Sequence, residues 1–84
     1  IKDRAAALAA VVIGRRDLAD GRAVDALSAA DRVLQWGAWL PEGLYLRADA
    51  LDALGRTGLA TEAWRRLAAV EPGMATLRSG RGPG

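Results

Sequence analysis

The side chains with the greatest potential for chemistry are two carboxylates, Asp49 and Asp52, three residues apart on one face of a predicted helix. Paired carboxylates can take part in acid–base chemistry or bind a cation, but the chain has no His and no Cys to complete such a site. No hydroxyl residue has a base beside it, and no nucleophile-elbow or phosphate-loop motif is present. We therefore interpret Asp49 and Asp52 as part of a solvated helix face, and we expect no catalysis, no cofactor and no metal site.

The basic residues are spread along the chain and not clustered. Residues 1–40 carry six Lys and Arg against five Asp and Glu, and residues 41–76 carry four against five. The excess of +2 comes from Arg78 and Arg81. A nucleic-acid-binding surface needs basic residues gathered on one face, so we expect no nucleic-acid partner. The preference for Arg over Lys, with abundant Ala and Gly, is typical of a GC-rich genome and favours a bacterial source.

The length of 84 residues allows one small domain. We expect it to occupy residues 1–78 and to be followed by a flexible Gly- and Pro-rich tail over residues 79–84. The longest apolar run, residues 5–13, is about half the length that a bilayer-crossing helix needs, so we expect no membrane span. No signal fixes the compartment, and the cytoplasm is the default expectation.

Four stretches carry apolar residues at helical spacing, and no stretch alternates as a strand does. The first helix, over residues 3–19, is apolar nearly all round, so we expect it to be buried on more than one side. The second runs from Ala23 to Leu34. The third begins at Pro41 and reaches Leu54, and the fourth carries Ala60 to Val70. Short connections between such helices make neighbours antiparallel, which predicts an all-α fold.

The two helix pairs repeat at a fixed interval along the chain. Gly21 and Gly55 are 34 apart, and each is expected to close a helix–helix turn because glycine accepts the left-handed conformation. The same shift aligns further small or apolar residues: Gly14 with Ala48, Ala26 with Ala60, and Val33 with Leu67. We expect two stacked pairs, at about residues 7–40 and 41–74. Two repeats, in a chain that begins with Ile and not Met, are typical of one part of a solenoid.

The second pair resembles the tetratricopeptide repeat family, whose 34-residue helix–turn–helix units prefer particular residue types at a few positions. The matching residues are Leu44, Ala48, Leu51, Gly55, Ala60, Trp64 and Pro72, with Gly14, Gly21, Ala26 and Leu34 in the first pair. Several residues depart from the pattern: Ala10, Asp17, Ala30, Ala38, Arg47 and Leu67. The resemblance implies antiparallel helix–turn–helix pairs stacked as a short right-handed superhelix.

The resemblance also implies a concave groove, lined by the first helix of each pair, that holds a peptide or protein segment. It places partner-binding residues at equivalent positions of the two pairs: Leu8, Val11, Arg15 and Leu18, then Glu42, Tyr45, Asp49 and Asp52. The first set is mostly apolar and the second mostly acidic, so we expect a partner segment that is both apolar and basic. Two other interpretations stay open for the apolar set, namely contact with a preceding helix and contact between copies of this chain.

The family's carboxylate-clamp type, which uses Lys and Asn, is not expected because the chain has no Asn and only Lys2. Trp36 and Trp39 flank the connection between the pairs, where they either pack between the repeats or form an exposed anchor for a partner. Met74 and Leu77 are expected to dock as a short turn against the fourth helix.

The sequence therefore predicts a non-catalytic protein–protein interaction module, an adaptor or scaffold without chemistry of its own. One alternative is a structural or oligomerisation segment of a larger repeat protein. Another is a regulatory appendage of an enzyme or transcription factor.

Overall fold

A computed structural model describes residues 4–36 and 40–73 of the chain, and these ranges contain four α-helices and no strand. The helices are α1 (Arg4–Ala19), α2 (Ala23–Gln35), α3 (Pro41–Ala53) and α4 (Thr57–Val70). The predicted all-α class is confirmed. The observed bounds agree with the predicted ones to within a few residues. The predictions for Trp39, Met74, Leu77 and the tail over residues 79–84 lie outside the described residues.

The turns that join α1 to α2 and α3 to α4 have the same hydrogen bonds at equivalent positions of the two pairs. In the first turn the Arg22 N–H donates to the Asp17 carbonyl at 2.7 Å. In the second turn the Arg56 N–H donates to the Leu51 carbonyl at 3.0 Å. Gly21 and Gly55 close these turns at φ 82° and 74°, a left-handed conformation that side chains disfavour. The predicted roles of the two glycines are confirmed.

The first turn of α3 is set by the dipeptide Leu40-Pro41. Leu40 is extended, at φ −81° and ψ 135°, as expected for a residue before proline. Pro41 then occupies the first helical turn, where its missing N–H leaves no hydrogen bond unmade. The Leu40 carbonyl accepts from the Gly43 and Leu44 N–H groups at 3.0 and 3.1 Å, which starts the helix.

Each helix packs against the next one in the chain, and α1 also contacts α3. Two apolar cores result. The first core lies among α1, α2 and one side of α3 and consists of Ala7, Val11, Ala26, Ala30, Val33, Leu40, Leu46 and Ala50. The second core lies between the other side of α3 and α4 and consists of Leu44, Tyr45, Ala48, Leu51, Ala60, Ala63, Trp64 and Leu67. The central helix α3 therefore contributes to both cores.

The close approach of α1 to the rest of the molecule depends on Gly14. A Cβ atom built at Gly14 would lie 2.5 Å from Leu46 Cδ2 and 3.1 Å from the Ala29 Cβ, so the site has no room for a side chain. Gly14 is itself buried, and its lack of a side chain lets α1 approach α3 closely.

The expectation that α1 is buried on more than one side is wrong for the described chain. Val12 and Ile13 are 66% and 60% exposed, and the buried residues of α1 all lie on the opposite side of the helix. The helix that is covered on two sides is α3, whose buried residues include both Leu46 and Tyr45. Val12 and Leu46 are related by the repeat interval, so the two helices present equivalent positions in different surroundings.

Candidate functional site

Aromatic and charged side chains form a connected cluster across α1, α3 and α4. The rings of Tyr45 and Trp64 meet edge to face, with centroids 5.1 Å apart and planes at 87°. The Trp64 Nε1–H donates a hydrogen bond to Asp52 Oδ2 at 2.7 Å. On the other side, the Arg15 guanidinium carbon lies 5.5 Å from the centre of the Tyr45 ring, within the range of a cation–π contact. The two aromatic rings therefore contact a basic side chain on one side and an acidic side chain on the other.

The cluster is buried at its centre and reaches solvent at both ends. Tyr45 and Trp64 are 7% and 5% exposed, whereas Arg15 and Asp52 are exposed residues. Buried aromatic rings have few conformations, so the hydrogen bond from Trp64 restrains the Asp52 carboxylate before any partner arrives. This arrangement suits recognition of a partner, because a surface that is ordered in advance loses less entropy on binding.

The apolar members of the predicted binding set are only partly available at the surface. Val11 and Tyr45 belong to the two cores, and Val11 is 3% exposed. Leu8 and Leu18 are half-buried and pack against the first core. Val11 and Tyr45 thus support the surface from below, while Leu8 and Leu18 retain some apolar area that a partner can cover. A binding role for the whole set stays a prediction.

The acidic members lie along α3. Glu42 and Asp49 are half-buried, and Asp52 is exposed. At Glu42 the carboxylate Oε1 is buried without a hydrogen-bond partner among the described residues. A buried carboxylate oxygen without a partner is unfavourable by about 1–3 kcal/mol or more. Glu42 and Asp49 are seven residues apart, about two helical turns, and therefore lie on one face of α3.

Two ion-pair groups lie outside this face. Arg22, in the first turn, contacts Asp17 at 3.1 Å, Asp20 at 3.3 Å and Asp25 at 3.9 Å. The hydrogen bond to Asp17 is the main cause that raises the pKa of Arg22, which leaves the guanidinium fully protonated. Between α2 and α3, Arg47 Nε donates to Asp31 Oδ1 at 3.0 Å. Surface pairs of this kind contribute little to stability, so we assign them to local geometry.

Trp36 is half-buried and packs against the first core, which favours the packing interpretation over an exposed anchor.

The surface also has a small cavity of about 80 Å³ lined by Arg47, Leu59, Glu62, Ala63 and Arg66. Among the described residues, no group of three or more acidic side chains is arranged to hold a metal ion. None of the four described helices is long and apolar enough to cross a membrane.

The ring contact between Tyr45 and Trp64 was not predicted from the sequence, although the spacing of the two residues indicates it. Tyr45 stands ten residues before Gly55 and Trp64 stands nine after it, so an antiparallel hairpin that turns at Gly55 brings the two rings level. The hydrogen bond from Trp64 to Asp52 has no such signal, because it depends on the rotamers of both side chains.

No protein-family model matches the chain, and the comparisons with curated proteins and with solved structures found no match. The candidate site therefore stands on its own geometry.

Proposed function

We propose that this chain is a non-catalytic protein–protein interaction module, an adaptor or scaffold, that binds a basic and partly apolar peptide segment along α1 and α3. The binding surface consists of Leu8, Arg15 and Leu18 on α1 together with Glu42, Asp49 and Asp52 on α3; it is called the groove face below. Val11 and Tyr45 support it from the cores.

The observation that carries the proposal is the cluster from Arg15 through Tyr45 and Trp64 to Asp52. It places charged side chains of two helices on the groove face, each in contact with a buried ring. The half-buried Glu42 adds negative charge to the same face, which favours a Lys or Arg side chain of the partner. Since Glu42, Asp49 and Asp52 outnumber Arg15, the complementary segment is basic.

The tetratricopeptide-like arrangement belongs to this proposal. It is supported by the matching hydrogen bonds of the two glycine turns and by the contact between α1 and α3, the first helices of the two pairs. In such an arrangement the first helices lie side by side and line one continuous surface, as the groove face requires.

Selection from a displayed library of random 12-residue peptides tests the proposal. The wild-type chain should enrich peptides in which Lys or Arg stands next to Leu, Ile or Val. A variant carrying Glu42→Gln with Asp49→Asn should bind those peptides at least about tenfold more weakly, which corresponds to the loss of one charge-assisted hydrogen bond.

The matched control for that selection carries Glu62→Gln with Glu71→Gln, which removes the same charge from exposed positions in and after α4. It should bind like the wild type. Enrichment of peptides without basic residues, or equal loss of binding in both double variants, would reject the groove face as the binding surface.

A second candidate function, a structural segment of a larger repeat protein, is favoured by one specific observation. Val12 and Ile13 are exposed on the outer side of α1, at positions equivalent to residues of α3 that contact the first pair. This function and peptide binding use different faces of α1 and do not exclude each other.

A further inference from the structure

The outer face of α1 consists of Ala9, Val12, Ile13 and Arg16. The shift that superimposes Gly21 on Gly55 places these on Gly43, Leu46, Arg47 and Ala50 of α3. Three of the α3 residues are buried and the fourth, Arg47, pairs with α2, so this whole side of α3 is covered by the preceding helix pair. The same side of α1 is open, with Val12 66% and Ile13 60% exposed.

The packing around α3 shows how a helix face at these repeat positions is covered. Leu46 and Ala50 are fully buried in the first core beside residues of α1 and α2. Val33 of α2 lies over Gly43, where an added Cβ would come 3.2 Å from Val33 Cγ1. Two helices of one hairpin therefore cover this side of α3, and the second helix of that hairpin also supplies the acidic partner of Arg47, Asp31.

The outer face of α1 differs from its α3 counterpart in where the charge lies. Ile13 replaces the ion-paired Arg47, and Arg16 replaces the buried Ala50, so the positive charge moves by three residues, about one helical turn. A helix that covers α1 must therefore present apolar residues to Val12 and Ile13 and a carboxylate within reach of the Arg16 guanidinium.

A second copy of this chain fits the face poorly. The residues of α2 that pack toward the second pair are Leu27, Asp31 and Leu34, and their equivalents on α4 are Thr61, Arg65 and Ala68. This strip of α4 thus lacks large apolar side chains and would bring Arg65 toward Arg16. An α1-to-α1 pairing of 16-residue helices offers a strip only about 24 Å long and 10 Å wide, well below the roughly 800 Å² per partner of a stable dimer.

We propose that the outer face of α1 binds a further helix–turn–helix unit, N-terminal to α1 in the same polypeptide, whose second helix lies along α1 as α2 lies along α3. That order follows the arrangement within the described residues, where the covering pair precedes the covered helix. The contacting helix presents β-branched or Leu side chains to Val12 and Ile13 and an acidic side chain to Arg16.

The test joins a copy of residues 4–36 through a ten-residue Gly/Ser linker to the N-terminus of the full chain. The copy carries Asp31→Leu, which sets an apolar side chain opposite Ile13, and Leu27→Glu, which sets a carboxylate about one helical turn away, toward Arg16. If the copy docks, the extended protein should unfold in a single transition with a melting temperature at least about 5 °C above that of the chain alone.

Two substitutions in the full chain, and not in the added segment, locate the docking face. Val12→Glu should abolish the rise in melting temperature, whereas Val24→Glu should retain it. Val24 is a matched control because it is 62% exposed but lies on α2. An unchanged melting temperature, two separate transitions, or equal effects of the two substitutions would overturn the proposal.

Light scattering of the chain without the extension supplies a further outcome. We expect a monomer. A dimer that Val12→Glu dissociates would show that a second copy occupies the face, and would overturn the proposal. Failure of the peptide selection on Glu42 and Asp49 would leave these measurements unaffected, since neither residue belongs to the outer face of α1.

Discussion

Helices α1 and α3 occupy equivalent places in their pairs, yet they have different surroundings. On α3, one side meets the first pair through Leu46 and Ala50, and another meets α4 through Leu44 and Leu51. On α1, the buried residues lie on one side only. The comparison shows that an equivalent position in a repeat does not determine burial by itself. Burial depends on whether a neighbouring pair is present to cover it.

The largest difference in stability is expected between Leu46→Ala and Val12→Ala. Leu46 has no exposed surface, so its truncation leaves a cavity and should lower the free energy of unfolding by about 2–5 kcal/mol. Val12 is 66% exposed, and its truncation should change the free energy by no more than about 0.5 kcal/mol. Urea denaturation measures both. Similar losses would show that α1 and α3 are covered alike in solution.

Gly14→Ala sharpens the comparison at the contact between α1 and α3. The added methyl group would overlap Leu46, so we expect a loss of about 1–2 kcal/mol despite the better helix propensity of Ala. The same change at Gly58, where no atom lies within 4 Å of the added carbon, should be neutral or stabilising by up to about 1 kcal/mol. Thermal unfolding shows whether each substitution raises or lowers the stability of the protein. Stabilisation by both substitutions would mean that α1 lies farther from α3 than described.

Arg15→Ala removes the cation from the face of Tyr45 and should lower stability by about 0.5–1 kcal/mol. Arg16→Ala, one residue on and directed to the outer face, should have an effect below about 0.5 kcal/mol. Chemical denaturation of the two variants under the same conditions tests this difference. Equal effects would indicate that Arg15 does not rest on the ring.

The smallest expected effect concerns the ion pair that α3 has and α1 lacks. A double-mutant cycle of Arg47→Ala and Asp31→Ala should give a coupling energy of about 0.2–1 kcal/mol, because the pair is largely exposed. The coupling should fall in 1 M salt, where the screening length is roughly 3 Å. A coupling energy that persists in high salt would show that the Arg47–Asp31 pair is more buried than described.

Local sequence signals predicted the elements of this fold well. Gly21 and Gly55 marked the turns, Pro41 marked the start of α3, and helical spacing of apolar residues gave the four helices. Each signal acts through a few neighbouring residues, so it does not depend on the rest of the molecule. The repeat interval extended these local signals to equivalent positions in the two pairs.

The surroundings of each helix were harder to predict. The apolar character of α1 suggested burial all round, whereas Val12 and Ile13 are exposed and α3, with as many charged residues in a shorter helix, is the covered helix. Gly43, Leu46 and Ala50 carried the relevant signal, since small and apolar residues on a second face of α3 permit close contact with another pair. For the candidate site, residue types on one helix face were predictable, but the burial of Val11 and Tyr45 depends on tertiary packing.

Among the described residues, α1 and α3 present equivalent faces of which only that of α3 is covered. NMR relaxation of the methyl groups in the presence of a soluble gadolinium complex tests this directly, because the complex broadens signals according to their exposure. We expect strong relaxation of the Val12 and Ile13 methyl groups and weak relaxation of those of Leu46 and Val11. Equal relaxation of Val12 and Leu46 would contradict it.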